Sequence, residues 1–198
     1  MENYRIFVEK HPRFRVEADS LRRELNTNLN LDIRSLRLLN VYDLFGFSRE
    51  LLEKSRYSVF GEVVTDSVTD SCDLAGRKYI AVEYLPGQFD QRAASAVDCV
   101  RLIDPSAQVR IRSSKLLLFD DAVSDEDVAR IRHYYINAVE SREKNLDVLT
   151  DMEQAEVKPV AVLEGFTKMT DAELEPCCKR YGLAMNADDL REVVKYFR

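Results

Sequence analysis

The chain has 198 residues, 45% of them hydrophobic and 32% charged, and 29 Lys and Arg against 35 Asp and Glu leave a net charge of −6. That length can bury a real core as one large domain or two small ones, and the acidic balance argues against nonspecific binding to nucleic acid or anionic membranes. No apolar run approaches the roughly 20 residues that cross a bilayer, and the start, Met1-Glu2-Asn3-Tyr4-Arg5, lacks a signal-peptide pattern, so the chain reads as soluble and cytoplasmic.

Tyr4 to Glu9 predicts a strand, followed by Pro12, Phe14 and a helix with Phe14, Ala18, Leu21 and Leu25 along one face. Ser35 to Tyr42 predicts a second strand, and Ser48 a helix N-cap ahead of Leu51 and Leu52. The aromatic stretch Tyr57 to Glu62 reads as extended, and the polar stretch Thr65 to Lys78 as a connection. The pattern then repeats. Tyr79 to Glu83 is a strand, and Phe89, Ala93, Ala96 and Val100 form a helical stripe displaced by 75 residues from the first at every position. Val109 to Phe119 supplies the matching strand, and Ser124 with Asp127 a capping box. Tyr134 to Glu140 reads as the matching extended segment, and Phe14 and Phe89 as equivalent buried anchors.

These signals predict an α+β fold: an internally duplicated two-layer αβ domain with pseudo-two-fold symmetry over residues 1–145, with halves at about 1–65 and 78–143. The halves would pack sheet to sheet or edge to edge. Residues 146–168 read as a linker segment with one short extended piece around Val160 to Leu163. Residues 169–198 read as a helical hairpin: Thr170 with Glu173 caps one helix, Gly182 ends it, and Asn186 to Asp189 caps the next. The stripes are Leu174, Cys177, Cys178 and Tyr181, then Leu190, Val193, Val194 and Phe197. So short a hairpin buries two apolar faces poorly, so the sequence reads as a truncated longer protein.

Little catalytic chemistry is visible. The six glycines form no phosphate-binding loop, and no G-x-S-x-G elbow is present. His11 and His133 lie apart from any nucleophile, and Cys72, Cys99, Cys177 and Cys178 lack metal-ligand spacing, so they read as buried thiols with no metal site. The acid pairs Asp120-Asp121 and Asp188-Asp189 fall at loop or helix starts, where the helix dipole accounts for them. One segment stands out: Pro86-Gly87-Gln88-Phe89-Asp90-Gln91-Arg92 gathers turn and polar residues at a helix start and has no Gly-Gln match in the first half. Gln88 and Gln91 offer paired donors and acceptors, Arg92 a planar fork for a carboxylate or phosphate, and Asp90 either a cap or a partner for Arg92.

That segment resembles a signature in the N-terminal region of phosphoribosylformylglycinamidine synthase, the large single-chain purine-biosynthetic amidotransferase family. Val41-Tyr42-Asp43-Leu44 through Ser58-Val59-Phe60 is similar to the same region, as is Asn137-Ala138-Val139-Glu140-Ser141-Arg142-Glu143, which has Ala138 where the motif usually carries proline. Gly182 to Asn186 with Asp188-Asp189-Leu190 resembles the small helical linker of that family. The resemblance implies a parent ATP-dependent, glutamine-hydrolysing C–N ligase, of which this chain is the non-catalytic domain similar to a small-subunit dimer, plus the linker domain. It implies no cofactor in this portion, with ATP and Mg in the parent. It also implies synthetase and glutaminase domains as partners, with no nucleic acid and no membrane, and a role in assembly and in supporting the internal ammonia path. Pro86, Gly87, Gln88, Phe89, Asp90, Gln91 and Arg92, with Glu140, Ser141 and Arg142, become interdomain or substrate-proximal candidates. A different reading of the duplication is an independent small-molecule-binding regulatory module.

Overall fold

Alternation of apolar and polar residues carries β1 (Glu2–Lys10) and β2 (Leu36–Phe47), which pair antiparallel with Ile6 opposite Tyr42. The computed structural model describes residues 2–74, 76–147, 149, 160 and 162–198. The chain divides into two units, residues 1–155 and 156–198.

In the first unit, α1 (Val16–Leu29) follows a 3-10 turn over Pro12–Phe14. Ser48 caps α2 (Arg49–Ser55), its Oγ accepting from Leu51 N at 3.1 Å. Next come β3 (Asp66–Thr69), β4 (Tyr79–Tyr84), α3 (Gln91–Ile103) and β5 (Arg110–Phe119). Then follow α4 (Asp125–Tyr135), with the expected Ser124–Asp127 capping box, and β6 (Ser141–Glu143). The fold is α+β, with one six-stranded antiparallel sheet in the order β3-β1-β2-β5-β4-β6. The two stretches read as halves therefore meet edge to edge through β2 and β5, Leu36 lying opposite Phe119 and Phe45 opposite Arg110. The edge strands β3 and β6 are short, pairing with Phe7–Lys10 of β1 and Val82–Tyr84 of β4.

Strand alternation divides the side chains between two faces. On the helical face, α2 and α3 cover Ile6, Val8, Tyr42, Leu44 and Ile111. On the same face, α1 and α4 cover Leu36, Ile80, Leu117 and Phe119. The opposite face carries Phe7, Leu39, Val41, Ala81, Leu116 and Leu118, covered by Cys72, Leu74 and Leu146. Ala18, Leu25, Ala93, Ala96 and Val100 are buried as their stripes predict.

Several expectations need correction. Phe14 and Phe89 are not buried anchors; they are 41% and 75% exposed. Their helices start later, at Val16 and Gln91, so neither residue lies on the helical stripe. Residues 56–60 are not extended: a π-helical turn, Arg56–Phe60, continues α2 and buries Phe60, whose ring lies 5.0 Å from that of Tyr42. Tyr134 and Tyr135 belong to α4, and the strand begins only at Ser141. The connection 65–78 contains β3, which accepts a polar sequence because it is an edge strand. Cys99 is exposed and Cys72 half-buried, while Cys177 and Cys178 are buried; all four are free.

In the second unit, α5 (Asp171–Tyr181) and α6 (Ala187–Tyr196) both start in capping boxes, and Gly182 closes α5 at φ +60°. Leu174, Cys177, Cys178, Leu190 and Val194 form its small core, while Tyr181 and Phe197 stay exposed. The extended piece expected around Val160 to Leu163 includes Ala161, which lies outside the described residues, as does Pro159.

Candidate functional site

Leu85 to Gln88 makes a tight turn. Pro86 fixes the first corner, Gly87 takes the second at φ +90°, and Gln88 N donates to Leu85 O at 3.0 Å. Asp90 then caps α3. Its Oδ1 accepts from Ala93 N at 2.9 Å, and its carboxylate also accepts from Ser113 N at 2.7 Å and Ser113 Oγ at 2.8 Å. Asp90 thus staples the helix start to β5, and it does not hold Arg92. The Arg92 guanidinium reaches only the Tyr42 hydroxyl, at 3.4 Å, and no carboxylate among the described residues lies within ion-pair distance of it.

The second candidate segment arrives alongside. Leu85 N donates to Glu140 O at 2.9 Å, and Gln88 Nε2 lies 3.5 Å from Val139 O. Ser141 N and Oγ both donate to Asn137 O, closing the turn before β6. Two segments remote in sequence therefore form one ridge, on which Phe89 is 75% and Val139 79% exposed. Gln91 lies at the first position of α3 and is exposed. Arg142 turns to the other face of the sheet, where its Nε donates to Glu83 at 2.9 Å.

Below the ridge, the gap between the two helix pairs leaves a cleft of about 220 Å³. Its floor is Asn40, Lys115 and Val82, side by side on β2, β5 and β4. Arg92 from α3, Tyr135 from α4 and Glu140 from the turn line its walls. Burial foremost, with the nearby carboxylates Glu17 and Glu24, pushes the Tyr135 phenol up to about 12.

The opposite face carries an ion cluster that the sequence reading missed. Lys144, almost fully buried, sits 2.7 Å from Asp43 and 2.9 Å from Glu83. Arg5 pairs with Asp43 at 2.5 Å, and Arg112 and Arg142 approach Glu83 at 3.5 and 2.9 Å. Burial pushes both carboxyls up. The hydrogen bonds and positive charge of Lys144 and the arginines outweigh it, leaving Asp43 and Glu83 below the usual carboxylate range. One signal was available: Asp43 is an acid inside the apolar run Val41 to Phe47, and such an acid needs a buried partner.

No known family model matches this sequence, and no curated protein matches it. Among the described residues, no group of three or more His, Cys, Asp or Glu is placed to hold a metal ion, and no helix is long and apolar enough to cross a membrane.

Proposed function

We propose that the chain is a non-catalytic assembly region of a phosphoribosylformylglycinamidine synthase, its ridge docking against the synthetase domain of a longer cytoplasmic polypeptide. The observation that supports this reading is the adjacency of Pro86–Arg92 and Asn137–Glu143, two of the four stretches that carry the resemblance. Their exposed apolar residues, Phe89 and Val139, stand beside the amide of Gln88, a mixture suited to a protein interface. The internal duplication belongs to the same reading and is supported by the 75-residue offset of Ala18, Leu21 and Leu25 from Ala93, Ala96 and Val100 and by the meeting of the two stretches across β2 and β5. ATP and Mg would be bound by the parent's other domains, and the role of this region would be to keep synthetase and glutaminase activities coupled along the ammonia path.

The test is the ratio of glutamine-dependent synthesis to glutamine hydrolysis in the full-length enzyme. Gln88→Ala and Phe89→Ala should lower that ratio while leaving the melting temperature nearly unchanged. Wild-type coupling in both variants would sink the reading. Loss of coupling only together with several degrees of melting temperature would reduce the ridge to a structural turn.

A further inference from the structure

We propose that residues 144–147 form a charge-locked strap on the sheet face opposite the helices, and that this strap opens as a local unit when Asp43 and Glu83 lose their charge, while the helical face stays folded. Four observations carry this.

The first is how little backbone holds the strap. It leaves β6, whose three residues pair with Val82, Glu83 and Tyr84 of β4, and Lys144 N adds one more bond, to Ala81 O at 2.8 Å. Asp147 N then donates to the Asn145 side chain at 2.8 Å, a contact inside the strap that ties nothing to the sheet.

The second is which side chains turn inward. Asn145 and Asp147 are exposed, Lys144 is buried, and Leu146 is half-buried against the cluster that contains Val41 and Leu116. One partly covered leucine is a small apolar anchor. The main hold is the Lys144 ammonium between Asp43 and Glu83, helped by Arg5, which donates to Leu146 O.

The third is the charge balance. Asp43 faces Arg5 from β1 and Lys144, and Glu83 faces Lys144, Arg112 from β5 and Arg142 from β6. Among these groups two carboxylates stand against four cations. Neutralising the carboxylates leaves a buried ammonium facing guanidinium groups of its own sign, and moving the strap relieves that repulsion. Burial raises both carboxyls, but the hydrogen bonds and charge of Lys144 and the arginines outweigh it and hold them below the usual carboxylate range. The lock is therefore closed above that range and released as pH falls through the lowered values.

The fourth is separation. The two helical-face clusters, around Leu44 and around Leu117, include none of residues 144–147. A segment with one apolar anchor opens at lower free energy than the core strands beneath it.

Trypsin reads the strap directly. It takes a lysine side chain into its own pocket, so it cuts the Lys144–Asn145 bond only after Lys144 has left its two carboxylates. The 198-residue chain and its Asp43→Asn and Glu83→Gln variants would be digested at neutral pH, with the early cuts assigned by mass. Cleavage after Lys144 should rise about tenfold or more in each variant. Cleavage after Lys115, in the central strand β5, should rise far less. Unchanged cleavage after Lys144 would overturn the proposal. So would an equal rise at both bonds, which signals opening of the whole domain. If the variants fail to fold, the unmutated chain decides by amide exchange followed from neutral pH into the acid range and corrected for intrinsic rates. Protection should be lost at the Lys144 amide before the amides of β2 and β5. Loss at all of them together, or protection kept at Lys144 until the strands open, would overturn it.

Discussion

On one face of the sheet Lys144 sits between Asp43 and Glu83, with Arg5, Arg112 and Arg142 closing the cluster; on the other, Arg92 stands exposed near the start of α3 with no ion pair among the described residues. The first arrangement is complete within the chain. Its charges come from β1, β2, β4, β5 and the residues around β6, so it ties the second sheet face to the segment that covers it. Lys144 N donates to Ala81 O at 2.8 Å, and Arg5 donates to Leu146 O. The second arrangement is incomplete. Its helix start is capped by Asp90, whose carboxylate also holds Ser113, and neither Gln91 nor Arg92 takes part in that cap. The contrast separates buried charge that holds the fold from exposed polar groups that make few contacts within it.

Removing charge from the two faces should therefore give unequal results. The largest effect belongs to Lys144→Met, which leaves Asp43 and Glu83 buried with only arginines for neutralisation. A loss of about 3 kcal/mol in a urea melt at neutral pH is expected. A loss below about 1 kcal/mol would mean the cluster is not structural.

The same cluster sets an acid limb. Asp43 and Glu83 have folded-state pKa values below their unfolded ones, so their contribution is fully present above the ordinary carboxylate range. It is lost as pH falls through that range toward the lowered values. Stability measured from neutral pH downward should decline there, and Lys144→Met should flatten the slope. An unchanged slope would place the acid sensitivity elsewhere.

Next in size is Asp90→Ala, which removes the α3 cap and strands the Ser113 amide. The expected cost is about 2–3 kcal/mol by denaturant melt. Arg92→Gln should change stability by less than about 1 kcal/mol, since no ion pair is broken. A large loss there would erase the distinction between the two faces. Smallest is Phe89→Ala, expected within about 0.5 kcal/mol of the parent chain because the ring is already in solvent.

Local signals made much of this fold readable. The alternation of β1 and β2, the Ser48 cap, the capping boxes at Ser124, Thr170 and Asn186, and the stop at Gly182 are all short-range chemistry. Features that depend on distant residues were not readable. A helical stripe can be extended backwards on paper through Phe89, but the Asp90 cap places the true start at Gln91. The segment from Tyr57 to Phe60 is β-prone by composition, yet packing of Phe60 against Tyr42 and Phe47 holds it in a π turn. The Lys144 cluster joins positions 43, 83 and 144, and no spacing announces such a meeting. For the candidate site, Pro86–Arg92 was distinctive by its residues. Its pairing with Val139 and Glu140, and the cleft beneath, needed β4 and β6 to come together.

The docking claim is tested most directly by comparing amide hydrogen exchange in the 198-residue chain and in the longer polypeptide proposed to contain it. Docking predicts that residues 85–92 and 137–142 exchange more slowly in that longer polypeptide, while the opposite sheet face around Val41 and Leu116 exchanges alike in both. Equal exchange across the ridge in the two proteins would contradict it.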